Sequence, residues 1–221
     1  YLLNATVITS SRFEKPLAES PVSMSVIKPG AADRLSTNSS SQLLDRVPGV
    51  QIIDGQANIR GGSGYSYGAG SRVLLLLDDL PVLQPDAGYP NWDDLPLENL
   101  GQIEILKGAS SSLYGSSAMN GIIHFRTNFP TSDPYTSISL IPKFYLNPSS
   151  NKQWWGTDST ITIPYEGIIN FVHRKKYSWA DLSASGSFTT KTGYNKEHNS
   201  DNARIHILMR KRIFDRLHVN V

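Results

Sequence analysis

Cysteine is absent from the 221 residues, which excludes disulfides, thiolate nucleophiles and cysteine-based zinc sites. There is also no apolar run of about 18 residues, the length that a membrane-crossing helix needs. No basic-then-apolar leader opens the chain, which starts Tyr1-Leu2-Leu3. The formal net charge of +2 is too small to point to nucleic acid or an anionic surface. His124, His173, His198, His206 and His218 show no paired metal-ligand spacing. No serine lies in a nucleophile elbow and no phosphate loop occurs. No catalytic residue, metal or cofactor is therefore assigned. Apolar residues make up only 39% of the chain, which is low for a protein built round one dry core.

What the chain has instead is small-residue backbone between short apolar runs. Residues 103–125 hold two β-branched runs, 103–106 and 122–125, flanking Gly, Ser and Ala. That pattern predicts two strands joined by a tight connection with at most a turn or two of helix. Before it, residues 4–10 form a β-branched segment that reads either as an edge strand or as a peptide that docks on another protein's sheet edge. Strands are expected at 22–27, 50–53, 57–60 and 73–77, with a helix over 39–47 stopped by Pro48-Gly49. Asp78-Asp79 reads as a turn. Gly68-Ala69-Gly70 fails as a dinucleotide motif, since Val73 stands at the third glycine position and a strand follows. Residues 81–96 form a long proline-rich loop holding Tyr89 and Trp92, too aromatic for disorder.

Charge and composition divide the chain. Residues 1–130 carry 9 Lys+Arg and 12 Asp+Glu (net −3), and residues 131–221 carry 12 and 7 (net +5), summing to +2. Beyond Pro134, alternating runs at 137–146, 180–189, 204–210 and 217–221 predict long antiparallel strands with one apolar and one polar face. A soluble sandwich and a membrane barrel both produce that alternation. Trp154, Trp155, Tyr165, Tyr177 and Trp179 fall near strand ends or turns, where barrel girdle aromatics sit.

Five strings in order carry a resemblance: Val47-Pro48-Gly49-Val50; Asn58-Ile59-Arg60-Gly61; residues 75–81, Leu-Leu-Leu-Asp-Asp-Leu-Pro; residues 103–108, Ile-Glu-Ile-Leu-Lys-Gly; and residues 113–123, Leu-Tyr-Gly-Ser-Ser-Ala-Met-Asn-Gly-Ile-Ile. Together they resemble the plug domain of TonB-dependent outer-membrane receptors, the active transporters of Gram-negative bacteria. Val7-Ile8-Thr9-Ser10-Ser11-Arg12 extends the likeness to the start of such plugs. The chain departs from the family's pattern at Asp79, where Gly is frequent, at Ala109, where Pro is frequent, and at His124-Phe125, in place of an Ile-Ile-Thr-like strand end.

The resemblance implies an α+β plug over residues 1–130, a small mixed sheet with short helices. The first antiparallel strands of a transmembrane β-barrel, four or five of them, would follow over 131–221. Plugged transporters have about 22 strands of about 9–11 residues each, so the chain is expected to be a fragment of a longer outer-membrane protein. It further implies energy-coupled import of a scarce nutrient, whether metal chelate, cobalamin, glycan or peptide. Ligand would meet Asp54, Tyr65, Tyr67, Asp86, Tyr89 and Trp92 in the plug's outward loops. Arg60, Glu104, Lys107 and Arg126 would latch the plug to the barrel wall by ion pairs. Thr6, Val7, Ile8 and Thr9, or residues just upstream, would pair with periplasmic TonB by strand addition. Membrane lipid would surround the barrel, and some branches of the family add a surface lipoprotein. The alternative is a plug-bearing structural or signalling part of a larger outer-membrane complex, without transport.

Overall fold

The computed structural model describes residues 6–11, 13–31, 39–61, 72–84, 88–145, 164–192, 199–214 and 217–220. The chain divides into two compact units, Tyr1–Asn128 and Phe129–Val221.

In the first unit the strands are β1 (Thr6–Val7), β2 (Lys15–Pro16), β3 (Met24–Ile27), β4 (Val50–Ile53), β5 (Gln56–Ile59), β6 (Val73–Leu77), β7 (Leu80–Pro81), β8 (Leu100–Lys107) and β9 (Gly121–Thr127). Helix α1 spans Ser40–Leu44 and α2 spans Ser111–Tyr114. Five strands form a mixed sheet in the order β3-β8-β9-β6-β7, with β6 and β9 parallel and the other pairs antiparallel. The centre of this sheet is the element expected over 103–125. β8 and β9 pair from Leu100↔Thr127 to Lys107↔Gly121, and α2 with a single 3-10 turn, Ser116–Ala118, fills the connection.

Side-chain alternation gives the sheet two unlike faces. Ile103, Ile105, Ile123, Phe125, Val73 and Leu75 point to the main core, closed by Leu43 and Leu44 of α1 and by Val50, Ala57 and Ile59 of the β4–β5 hairpin. Leu74, Leu76, Leu106 and Ile122 face the other way, over Ala118. Between the two faces the connection leaves little room. Gly121 has φ +150°, and a Cβ there would run into the Leu106 carbonyl and the Ile59 side chain.

Asp78 and Asp79 form the expected turn between β6 and β7, with φ of 46° and 72°. Two consecutive left-handed residues are the hallmark of the hairpin turns that match strand twist, and aspartate tolerates that region better than most residues. Two hydrogen-bonding networks anchor the turn. Asp78 accepts from the Thr127 amide at 2.9 Å and the Thr127 hydroxyl at 2.7 Å, and the Asp79 amide donates to His124 Nε2 at 3.1 Å. The side-chain bonds account for aspartate at position 78; the bond at position 79 comes from the main chain and would be available to glycine as well.

The second unit is one antiparallel meander, β10 (Tyr135–Phe144), β11 (Tyr165–Lys176), β12 (Asp181–Lys191), β13 (Ser200–Phe214) and β14 (Leu217–Asn220), paired in chain order. Its faces are inverted relative to a soluble sandwich. Along one cross-strand row lie Ile138, Phe171, Gly186 and Ile205, and the flanking apolar side chains share that face. Ile138 is 69% exposed and Ile205 81%, whereas Ser183 and Ser185 on the opposite face are 0% and 2% exposed. Apolar outside and polar inside is the pattern of a barrel wall in lipid. That decides between the two readings left open by alternation. The sequence did not single out β11, because adjacent Ile168 and Ile169 break the period of two. Tyr177 stacks on Trp179 in the turn before β12, the girdle position expected of them; Trp154 and Trp155 lie outside the described residues.

Gly121→Ala should destabilise the first unit by about 2–4 kcal/mol, since it combines a disallowed backbone with a clash against main chain. Thermal unfolding of the full-length protein, followed by protease resistance of the plug, measures it.

Candidate functional site

On the face of the sheet away from the main core, Glu104 of β8 and His124 of β9 are direct cross-strand partners. Both are fully buried. A carboxylate taken from water costs several kcal/mol unless hydrogen bonds replace its hydration. Here the replacement comes from the start of the chain, 95 residues away. Glu104 Oε2 accepts from the Ile8 amide at 2.9 Å, the Thr9 amide at 2.7 Å and the Thr9 hydroxyl at 2.6 Å. Its other oxygen accepts from Gln102 Nε2 at 2.6 Å. All four partners donate, as an ionised carboxylate requires.

Further contacts complete the clasp. Gln102 Nε2 also donates to the Thr6 carbonyl at 3.0 Å, and the Tyr114 hydroxyl to the Thr9 carbonyl at 3.1 Å. Val7 and Thr9 are fully buried, and Thr6–Val7 pairs antiparallel with Lys15–Pro16. The segment expected to pair with a partner protein is thus bound within its own chain.

His124 joins the clasp through one hydroxyl. Its Nε2 accepts from the Asp79 amide, so the ring proton sits on Nδ1, which donates to Thr9 Oγ1 at 3.0 Å. The result is a single file: Asp79 amide to imidazole to Thr9 hydroxyl to Glu104. Burial pushes the His124 pKa below its ordinary 6.5; Asp79, whose Oδ1 lies 3.6 Å away, pulls it up, Arg126 pushes it down, and Glu104 and Asp78 pull it up. Burial outweighs the carboxylates.

The four residues expected to latch the plug to the wall separate into two groups. Glu104 does not face outward: it is spent on residues 8 and 9, because only interior donors reach it. Arg126, on β9 opposite Gln102, is 8% exposed and so mostly covered. Arg60 and Lys107 instead stand together at the surface. Arg60 Nη2 donates to Ser23 Oγ at 2.5 Å and Lys107 Nζ to the Pro48 carbonyl at 2.7 Å. Burial first, and the Arg60 charge second, hold the Lys107 pKa below its usual value. Among the described residues neither cation meets a carboxylate at ion-pair distance. Arg60 has φ 57°, a conformation that costs a non-glycine residue about 1–3 kcal/mol. It borders a cleft of about 540 Å³ shared with Arg46, Pro48, Gln51 and Asn58.

Of the residues expected to meet ligand, Asp54 is exposed at the tip of the β4–β5 turn, with φ 47°. Trp92 is partly buried. Its indole packs against the main core and donates to the Gly55 carbonyl at 2.8 Å, tying the proline-rich loop to that turn. Tyr89 is half-buried, its carbonyl accepting from the Gln84 amide at 2.8 Å. Tyr65, Tyr67 and Asp86 lie outside the described residues. The turn and the loop are therefore brought together, with Trp92 as their mortar. Sequence reasoning missed His124 and Thr9 as joined parts of one site. The one signal was a histidine inside an otherwise apolar strand run.

Comparison with known proteins agrees with this geometry. Residues 16–122 match the family described as TonB-dependent Receptor Plug Domain. The chain is 30% identical over 137 residues to the vitamin B12 transporter BtuB of Vibrio vulnificus, covering 62% of this chain and 23% of that protein. Against BtuB of Photobacterium profundum it is 26% identical over 179 residues, covering 77% and 29%. The chain thus spans about a quarter of the length of these curated relatives. The ferric citrate transporter FecA in unliganded form superposes with a TM-score of 0.68 at 16% identity, over 90% of this chain and 30% of that one. The siderophore receptor PirA from Pseudomonas aeruginosa gives 0.62 at 20% identity, over 91% and 34%. At such identities the structures establish a shared fold.

Glu104→Ala removes one acceptor from four donors and should weaken docking of residues 6–9 by about 3–5 kcal/mol. Thr9→Val, which keeps the shape and loses the hydroxyl, should weaken it by about 1–3 kcal/mol. Limited proteolysis of the segment in folded protein reads both, and the order Glu104→Ala over Thr9→Val is the expected result.

Proposed function

We propose that this chain, which matches the TonB-dependent Receptor Plug Domain family over residues 16–122, supplies the plug and first wall strands of an energy-coupled importer of the Gram-negative outer membrane. The cargo is a scarce nutrient such as a metal chelate, cobalamin, a glycan or a peptide. The observation that carries this reading is the clasped segment at residues 6–9. It is short, β-branched and held by polar contacts that can be exchanged for a partner's. TonB takes it by strand addition, in which backbone hydrogen bonds give the affinity. Tension on the segment then acts directly on β8 and β9 through Glu104 and His124, at the centre of the plug sheet.

In this reading ligand meets the outward loops at Asp54, Tyr65, Tyr67, Asp86 and Tyr89, with Trp92 holding two of those loops in register. Arg60 and Lys107 are the plug's cations toward carboxylates on wall strands beyond this chain. The exposed apolar face of β10–β13 meets membrane lipid. The protein performs no chemistry on its cargo.

Cells expressing the full-length protein should accumulate at least one of radiolabelled cyanocobalamin, ferric citrate or a ferric siderophore. Accumulation should require TonB and disappear on deletion of residues 4–10, while surface binding of the same cargo persists. Binding without TonB-dependent accumulation of any cargo would replace the importer by a structural or signalling receptor. Arg60→Gly should leave plug stability unchanged or raised, by relieving the positive φ, yet lower TonB-dependent uptake. Unaltered uptake would remove Arg60 from the latch.

A further inference from the structure

The clasp on residues 6–9 stands in the way of the strand addition proposed above. The Ile8 and Thr9 amides, one or other of which a strand added along either edge would need, both donate to Glu104 Oε2. The Thr6 and Thr9 carbonyls are taken by Gln102 and Tyr114. Docked and partner-bound segments are therefore mutually exclusive, and release means emptying the Glu104 site. Hydrogen bonding couples His124 to that site through the Thr9 hydroxyl, and the Glu104 charge acts on the ring directly across the strand pair. We infer that His124 is a proton-sensitive catch on the N-terminal segment: its protonation undoes the Thr9 end of the clasp and favours hand-over to the strand-adding partner. This rests on the reading of residues 4–10 as the partner-binding segment.

The geometry supplies the mechanism. The neutral ring accepts the Asp79 amide at Nε2, 3.1 Å away. A proton on Nε2 sets two N–H groups against each other at that distance. The nearest alternative acceptor is the Asp79 carboxylate at 3.6 Å, on a side chain 65% exposed and free to turn. The backbone there is already held at two positive φ values. Once Asp79 swings to accept from Nε2, the ring is drawn toward the turn and the bond from Nδ1 to Thr9 is lost.

The charged groups facing the ring are Asp78 and Asp79 from the β6–β7 turn, Glu104 from β8 and Arg126 from β9 itself. Three carboxylates invite the proton; burial and Arg126 refuse it. While the segment covers the ring, refusal wins. When the segment leaves, water reaches the ring and its affinity for a proton returns toward the ordinary value. The sign follows from linkage: docking is fully favoured above pH 6.5 and weakens as pH falls through 6.5 toward the lower value of the docked state. Each pKa unit suppressed by docking corresponds to about a tenfold change in the release equilibrium.

A nitroxide at Thr6→Cys reads release directly, since the 221 residues contain no native cysteine. A second label at Gln51→Cys, exposed on β4, reports on the rest of the plug. In the full-length protein in detergent, the mobile-to-immobile ratio at residue 6 should rise progressively from pH 7.5 to pH 5.0, with the label at residue 51 unchanged. His124→Asn, whose amide can both donate to Thr9 and accept from Asp79, should abolish the response. Asp79→Asn, which keeps His124 but removes the negative charge that favours its protonated form, should move the midpoint to lower pH. An unresponsive wild type, an unaltered response in His124→Asn, an unmoved midpoint in Asp79→Asn, or mobilisation of both labels together would each overturn the catch. Cross-linking of Thr6→Cys to the periplasmic domain of TonB separates the two readings. Acid release without cross-linking removes the partner and keeps the catch, and cross-linking of equal yield at both pH values does the reverse.

Discussion

A carboxylate buried without its water must be given donors, and in this protein the donors are two backbone amides and a hydroxyl at the beginning of the chain. Burial of Glu104 thereby turns a local cost into a long-range tie. Apolar contacts alone would hold residues 6–9 weakly, because Val7 is their one fully buried aliphatic side chain. Charge-assisted hydrogen bonds hold them firmly but in a form that can be exchanged whole for another set. This combination would suit the proposed role of the segment, docked in one state and given to a partner in another. An apolar anchor of equal strength would expose greasy surface on every release.

The rest of the plug serves that tie. The largely buried strands Val73–Leu77 and Gly121–Thr127 lie side by side within the sheet, next to β8, and Glu104 and His124 are fully buried on one of its faces. The backbone crowding at Gly121 fixes the register in which those two residues face each other. The Asp78-Asp79 turn adds the third member by aiming an amide at the imidazole. The second unit answers a different constraint. With apolar side chains outward and serines covered, it follows the rule for a strand wall in lipid, where all backbone polar groups must be paired within the sheet.

Much of this was legible in the sequence because it depends on local pattern. The small-residue connection between β8 and β9, the aspartate turn and the presence of α1 follow from residue type within a few positions, although α1 ends at Leu44, short of the stop expected at Pro48-Gly49. Alternation located β10, β12 and β13, and failed at β11 where Ile168 and Ile169 are adjacent but face opposite sides. The destination of Glu104 was not legible. Its place at a strand edge suggests a barrel wall, and only the placement of a segment 95 residues upstream reveals an interior partner. Trp92 shows the same limit. An aromatic in a proline-rich loop suggests ligand contact, and the bond from its indole N–H to the Gly55 carbonyl was not legible. His124 left a trace as a polar residue in an apolar run, but its role depends on neighbours brought by three separate elements.

The central claim is that Glu104 holds the N-terminal segment on the plug sheet until it is taken. Amide hydrogen exchange at Ile8 and Thr9 in the full-length protein tests it most directly. Both amides should exchange far more slowly than unstructured peptide in the wild type. In Glu104→Gln they should approach the unstructured rate while Ile105 and Ile123 stay protected. Rapid exchange at Ile8 and Thr9 in the wild type, or equal protection in both proteins, would contradict the account.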